Sequence, residues 1–378
     1  MNARNHSRLS SAIRSGLATL AAASALLLAA PANAQGDGLP TDIRRAPQLT
    51  SAQEQAVQAF VNEHAKNLAS DNPQFIKRDR NALLEPLADL EASPKFRFTY
   101  AEALLPTLDN LYGNANELVV INAMVLAGDL ATAQGVGYLT KGLAASKPAV
   151  RYQAAFGLRR TFEALAAMPS PTINDEQRTS AIESIAGRIK DEADPVVLDG
   201  LVFAALEATK SPATRSAALT QLGRAMAAKT RSLGSKAAPD SLAQVLLRAG
   251  AGLRDSLASA QAGQVADDAL MASADAAGAM VAYCARAVES NSLPAAQNAP
   301  AREIHAQLAT TCENVLLLVA TLKPGGSAPE SRKIGDKIRA GTAESDQAFV
   351  KDAVALVGCQ GLLAKPPFGF APDSFLDK

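Results

Sequence analysis

Residues 148–158 read PAVRYQAAFGL, and two other stretches follow the same plan. Residues 117–130 read ELVVINAMVLAGDL, and residues 195–206 read PVVLDGLVFAAL. Each opens a helix, places a valine two residues in (Val119, Val150, Val197), and then sets small residues where a neighbouring helix must approach. The openings at Glu117, Pro148 and Pro195 are 31 and 47 residues apart. The first step has room for two short helices and two turns. The second is longer and contains the loop Met168-Pro169-Ser170-Pro171. Partner helices fall between the openings. One is predicted near Gly135 to Ala145. The other runs from Asp175 to Lys190, with Ile182, Ile185, Ala186 and Ile189 on one face. Paired helices at a period of roughly 20–50 residues mark an α-solenoid. The predicted fold class is therefore all-α, a right-handed α-solenoid of helix pairs flanked by less regular helices.

The stretch KPAVRYQAAFGL resembles the second helix of a HEAT repeat, in the short form found in bilin-lyase-like HEAT proteins. Pro148, Val150, Arg151, Ala154, Ala155 and Leu158 carry the likeness. Pro195, Val197 and Leu201 match in part, with Leu198 where the arginine should stand, and Glu117 and Val120 replace the proline and the arginine in the first copy. The resemblance covers about Glu117 to Thr209 and carries no catalytic residue across, because HEAT repeats host many functions. It implies that Arg151 pairs with an acid of the adjacent repeat. It also implies that the helices opening at Glu117, Pro148 and Pro195 line a concave side where a partner is held.

The N-terminus reads as a secretory signal peptide over residues 1–34. Arg4, Arg8 and Arg14 form a basic n-region, Leu17 to Ala30 an uncharged apolar core, and Ala32-Asn33-Ala34 a cleavage site before Gln35. The apolar core is shorter than the roughly 20 residues a membrane span needs, and no second such stretch follows. The expected location is the periplasm or the medium. Residues 35–49 read as a disordered leader, 50–230 as the HEAT-like region, 231–363 as a helical region continuous with it, and 364–378 as an extended tail. Ser51, with Glu54 three residues on, is the expected capping box. Pro86 interrupts the second helix, and the long helix from Val265 to Glu289 is predicted to break near Gly278.

Composition narrows the function classes. The chain has 37 basic and 37 acidic residues, and loss of the three signal arginines leaves the mature chain three charges negative. So weak a field implies neither nucleic acid nor an anionic membrane surface. Tryptophan is absent and aromatics are 4% of the chain, which speaks against a sugar-stacking cleft or an aromatic-lined pocket. Two histidines, His64 and His305, remain after the signal, too few for a His-rich metal site. No cofactor motif is present: Gly325-Gly326-Ser327 is read as a linker, and Gly-x-Ser-x-Gly, His-Glu-x-x-His and Cys-x-x-Cys do not occur. Asp191, Glu192 and Asp194 form an acidic turn read as a helix cap rather than a cation loop.

Three cysteines allow one internal bridge at most. Cys284 and Cys312 fall on apolar faces of consecutive helices, at an axial offset of about 9 Å by helix rise. A bridge needs Cα atoms within about 7 Å, so the unbridged pair is the favoured reading.

Two functional readings follow. The first is an exported, non-enzymatic binding or scaffold protein of the cell envelope with a protein or peptide partner. Its partner-binding residues are Gln153, Arg160 and Asp199, with Asn122 beside them and the Phe368 to Phe375 tail as the other surface. The second is a helical-toroid enzyme acting on a polymer, with Tyr152, Arg151 and His64 facing one cleft.

Overall fold

The computed structural model describes residues 38–376 except 262, 294–298, 325, 326 and 328. The expected signal peptide, and Gly325 and Gly326 of the expected linker, lie outside the described residues.

Local chemistry starts the helices. Proline stands at the first position of α3 (Pro73–Leu84), α4 (Pro94–Tyr112), α7 (Pro148–Ala167), α9 (Pro195–Ala208) and α13 (Pro300–Leu322), where its missing N–H costs nothing. Asn72, Ser93 and Asp194 cap three of these with side-chain oxygens. The cap of α2 (Ser51–Ala65) is Thr50 with Gln53, one residue earlier than the expected pair of Ser51 and Glu54. The remaining helices are α1 (Thr41–Arg45), α5 (Glu117–Leu130), α6 (Ala133–Leu143), α8 (Asp175–Asp191), α10 (Arg215–Arg231), α11 (Asp240–Ala258), α12 (Asp267–Glu289), α14 (Ile334–Ala340) and α15 (Ala343–Val357). Pro86 lies in a 3-10 turn, Glu85–Ala88, that ends α3 as expected.

From α5 to α13 the helices stack on their next-but-one neighbours, and α12 stacks on α15. In one layer α5 packs on α7, α7 on α9, α9 on α11, and α11 on α13. In the other, α6 packs on α8, α8 on α10, α10 on α12, and α12 on α15. Successive helices also pack across the layers. This is an all-α, solenoid-like fold, in which each pair buries its apolar face only against the next. A single cluster of buried side chains runs from Leu39 to Leu376 and crosses residue 230.

Small residues set the spacing. A Cβ on Gly128 of α5 would come within 2.7 Å of the Cα of Gly157 on α7, and the Thr161 hydroxyl of α7 donates to the Gly128 carbonyl at 3.0 Å. Ala154 and Ala155 are fully buried beside them. Replacing either alanine with leucine is expected to cost about 1–3 kcal/mol through overpacking, measurable as a lowered urea midpoint. An unchanged midpoint would mean that the helices are not closely apposed there.

Three expectations need correction. The leader is structured from residue 38: Leu39 and Ile43 are buried, and Arg44 and Arg45 pair with Glu85 and Asp89. Burial of two apolar side chains with ion pairs on either side outweighs the aperiodic pattern. α12 does not break at Gly278; the missing side chain there instead admits Leu363 and Phe375. The tail is not an extended free end. Phe368 and Leu376 are buried, Gly358 and Leu376 form an isolated parallel β-bridge, and Phe375 lies under the Arg231 guanidinium, 5.3 Å from ring centre to cation. The three cysteines are unbridged, with Cys284 and Cys312 both buried.

Candidate binding surface

The α5, α7, α9 and α11 layer brings equivalent turns side by side, so side chains at register positions meet across helices. Arg160 of α7 donates to Asp129 of α5 at 2.9 Å. Tyr152 of α7, 39% exposed, lies against Gly200 of α9. Arg159 of α7 sits 5.3 Å over the Phe203 ring of α9 and 3.7 Å from the Glu207 carboxylate. Arg248 of α11 sits 4.3 Å over the same ring and donates to Asp199 of α9 at 2.6 Å. Such cation–π contacts hold a guanidinium flat on an aromatic face. A groove of about 340 Å³ opens where this row ends, lined by Arg159, Phe203, Glu207, Lys210, Arg215 and Ser256 among others.

Arg160 and Asp199 therefore lie in this row, each tied to a neighbouring helix by an ion pair, and Gln153 is half-buried on α7. Asn122 does not belong to the open surface. It is buried, its amide donates to the Leu118 carbonyl, and its oxygen accepts from Arg80.

Arg151 has a structural partner. Its guanidinium donates to both Glu192 oxygens, at 2.7 and 2.8 Å, and to the carbonyls of Ala145 and Ser146. Burial pushes the Glu192 carboxyl up. The Arg151 hydrogen bonds, the Asp194 N–H and the Arg151 and Arg188 charges outweigh this and hold it below its ordinary value. Asp194 caps α9, as the acidic turn led one to expect.

Arg97 of α4 plays a comparable part and escaped the sequence reading. Fully buried, it donates to the carbonyls of Leu87 and Asp89 and faces those of Asp129 and Leu130 at the end of α5. Burial brings its pKa down to about 10, against the nearby charges of Asp89 and Asp129. The signal was present: Pro94-Lys95-Phe96-Arg97 repeats the spacing of Pro148-Ala149-Val150-Arg151. Arg97 reaches the C-terminal carbonyls of the following helix, α5, where a cation is favoured, whereas Arg151 binds the Glu192 side chain at the end of α8 and the carbonyls that follow α6. Phe203 was also missed, although it stands eight residues after Pro195, as Phe156 does after Pro148. Arg248 carries no local signal, since it lies 49 residues from Asp199.

The residues of the toroid-enzyme reading are not brought together. His64 on α2 stacks edge-on to Phe60 and lies 3.6 Å from the buried Asp79 carboxylate. That carboxylate also accepts from Arg78 and Asn67. Hydrogen bonds from Arg78, partly offset by burial, hold Asp79 below the ordinary range. Tyr152 and Arg151 lie on α7, engaged with Gly200 and Glu192.

His305 is buried in a closed chain of hydrogen bonds. Its Nδ1 faces the Ala301 carbonyl at 2.7 Å, which assigns the proton to that nitrogen. Nε2 then accepts from the Tyr283 hydroxyl at 3.1 Å, and that oxygen accepts from the Ala238 N–H at 2.6 Å. Burial lowers the His305 pKa from 6.5; the Ala301 bond and Asp240 oppose this, and Arg302 adds to it. The folded state thus favours neutral His305, and the unfolded chain binds the extra proton. The contribution is full above about pH 6.5 and is lost as pH falls from there through the lowered folded value. Denaturant midpoints should fall from pH 7.5 to pH 5 more steeply in the wild type than in His305→Asn. Equal slopes would contradict the assignment.

Among the described residues no group of histidine, cysteine and acidic side chains is arranged to hold a metal ion, and no helix is long and apolar enough to cross a membrane. Compared with known families, the chain matches no family model, and no curated protein is significantly similar to it.

Proposed function

We propose that this chain is an exported binding or scaffold protein of the cell envelope, built from HEAT-like helix pairs, that holds a protein or peptide partner without acting on it chemically. The observation that carries this reading is the row of partly exposed side chains on α7, α9 and α11, ending in the Phe203 groove. Parallel helices in one layer present polar and aromatic groups at a regular spacing, which suits a long segment lying across them. Ion pairs within the row fix those side chains in advance, so little ordering remains to be done on binding.

The test is the triple replacement of Gln153, Arg160 and Asp199 by alanine. The expected result is loss of partner capture from envelope extract with far-ultraviolet circular dichroism still helical. Full capture by the folded variant would refute the assignment of this face. Export is tested separately: the mature protein should begin at Gln35 on N-terminal sequencing, and a retained Met1 would contradict it.

A further inference from the structure

We infer that the groove between the ends of α9 and α11 and the start of α10 takes an acidic, partly apolar peptide segment. The inference rests on the peptide-holding reading above and names the chemistry of the partner.

The charge balance of the groove is the first ground. Arg159, Lys210 and Arg215 line it, with Glu207 and Asp255. Three cations and two carboxylates thus line it, an excess of one positive charge, and Asp255 is further offset by Arg254 outside the lining. Glu207 is 3.7 Å from Arg159 and 2.9 Å from Lys210. The Arg215 Nε donates to the neutral Thr209 carbonyl at 3.1 Å. Its guanidinium thus keeps donors suited to the forked grip on a carboxylate. Arg215 also opens α10, but its backbone N–H donates to the Ser211 carbonyl at 2.9 Å, so the guanidinium and not the helix start supplies the attraction for an anion.

The neutral groups choose a peptide over a bare anion. The Thr209 hydroxyl donates to the Leu206 carbonyl at 2.7 Å. The 2.8 Å bond between Thr209 and Ser256 is then donated by Ser256. That leaves the Ser256 oxygen as an acceptor, which matches a backbone N–H and repels a phosphate oxygen. Phe203 supplies the apolar part of the floor. A segment with a carboxylate next to a leucine or phenylalanine would use all three features at once.

The test is a selection of random twelve-residue displayed peptides on the purified protein at low salt. The inference predicts enriched peptides in which aspartate or glutamate flanks an apolar residue. Their binding should weaken at least tenfold in Lys210→Glu/Arg215→Glu, and also on raising salt to about 0.5 M, where charge attraction is screened. Lys210 is 66% exposed, and its buried partner Glu207 keeps Arg159, so Lys210→Glu alone, with circular dichroism to verify the fold, is expected to weaken binding several-fold through charge. Enrichment of neutral or basic peptides, or acidic peptides indifferent to Lys210→Glu, would overturn the inference and leave the peptide-holding reading intact. No enrichment at all would overturn both.

Discussion

Arg151→Met is expected to lower the stability of the folded chain by about 3–5 kcal/mol, the usual result of removing one partner from a buried ion pair. The Glu192 side chain is 1% exposed and Arg151 is 10% exposed. The variant leaves the buried Glu192 carboxylate with Arg188 at 3.5 Å and the Ala193 and Asp194 N–H groups alone, and it releases the Ala145 and Ser146 carbonyls from their donor. Most of the loss is the penalty on Glu192 rather than the intrinsic worth of the pair. Arg151→Met/Glu192→Leu should therefore recover a large part of it, and a double-mutant cycle measures the coupling. The effect also depends on pH. The wild-type Glu192 pKa lies below its reference value of 4.5, so its contribution is present above that pH and lost as pH falls through the folded value. The gap between variant and wild type narrows in acid, where the Glu192 carboxyl takes up a proton. A gap independent of pH would mean that Arg151 acts through packing alone.

Gly128→Leu is expected to do at least as much damage. A Cβ at this position meets the Gly157 backbone, with its Cα at 2.7 Å and its carbonyl oxygen at 3.0 Å. Backbone cannot swing aside as a side-chain tip can, so α5 and α7 must separate, and the Thr161 bond to the Gly128 carbonyl breaks with them. Overpacking costs about 1–3 kcal/mol even where side chains can adjust. Gly128→Ala alone should fall in that range, and the leucine beyond it. Because each helix pair leans on the next, the loss should also broaden the unfolding transition. Wild-type stability of Gly128→Ala would show that α5 and α7 do not approach as described.

Much of the architecture was legible in the residues. The openings at Glu117, Pro148 and Pro195, with their shared valine and small-residue plan, marked α5, α7 and α9 as equivalents, and the isoleucine face of residues 175–190 located α8. The errors fell where contacts between distant segments decide. Nothing in residues 38–49 signals that Ile43 is buried or that Arg45 meets Asp89, 44 residues away. The prolines of the tail exclude helix but do not reveal that Phe375 fits over Gly278. Of the proposed surface, α7 and α9 were identified, whereas Phe203, Arg248 and Arg215 were not. A guanidinium lying on a ring is a product of helix stacking and leaves no trace in local spacing. Asn122 shows the reverse failure: its polarity suggested exposure, yet Arg80 on α3 satisfies it in the interior.

The proposed function places the partner on the α7, α9 and α11 face. The most direct measurement is photo-crosslinking in the producing cell, with a photoreactive amino acid in place of Gln153 or Phe203 on that face, or of Glu183, which is exposed on α8 in the other layer. One discrete crosslinked species is expected from Gln153 and Phe203, and none from Glu183. Crosslinks from Glu183 alone, or from none of the three, would contradict it.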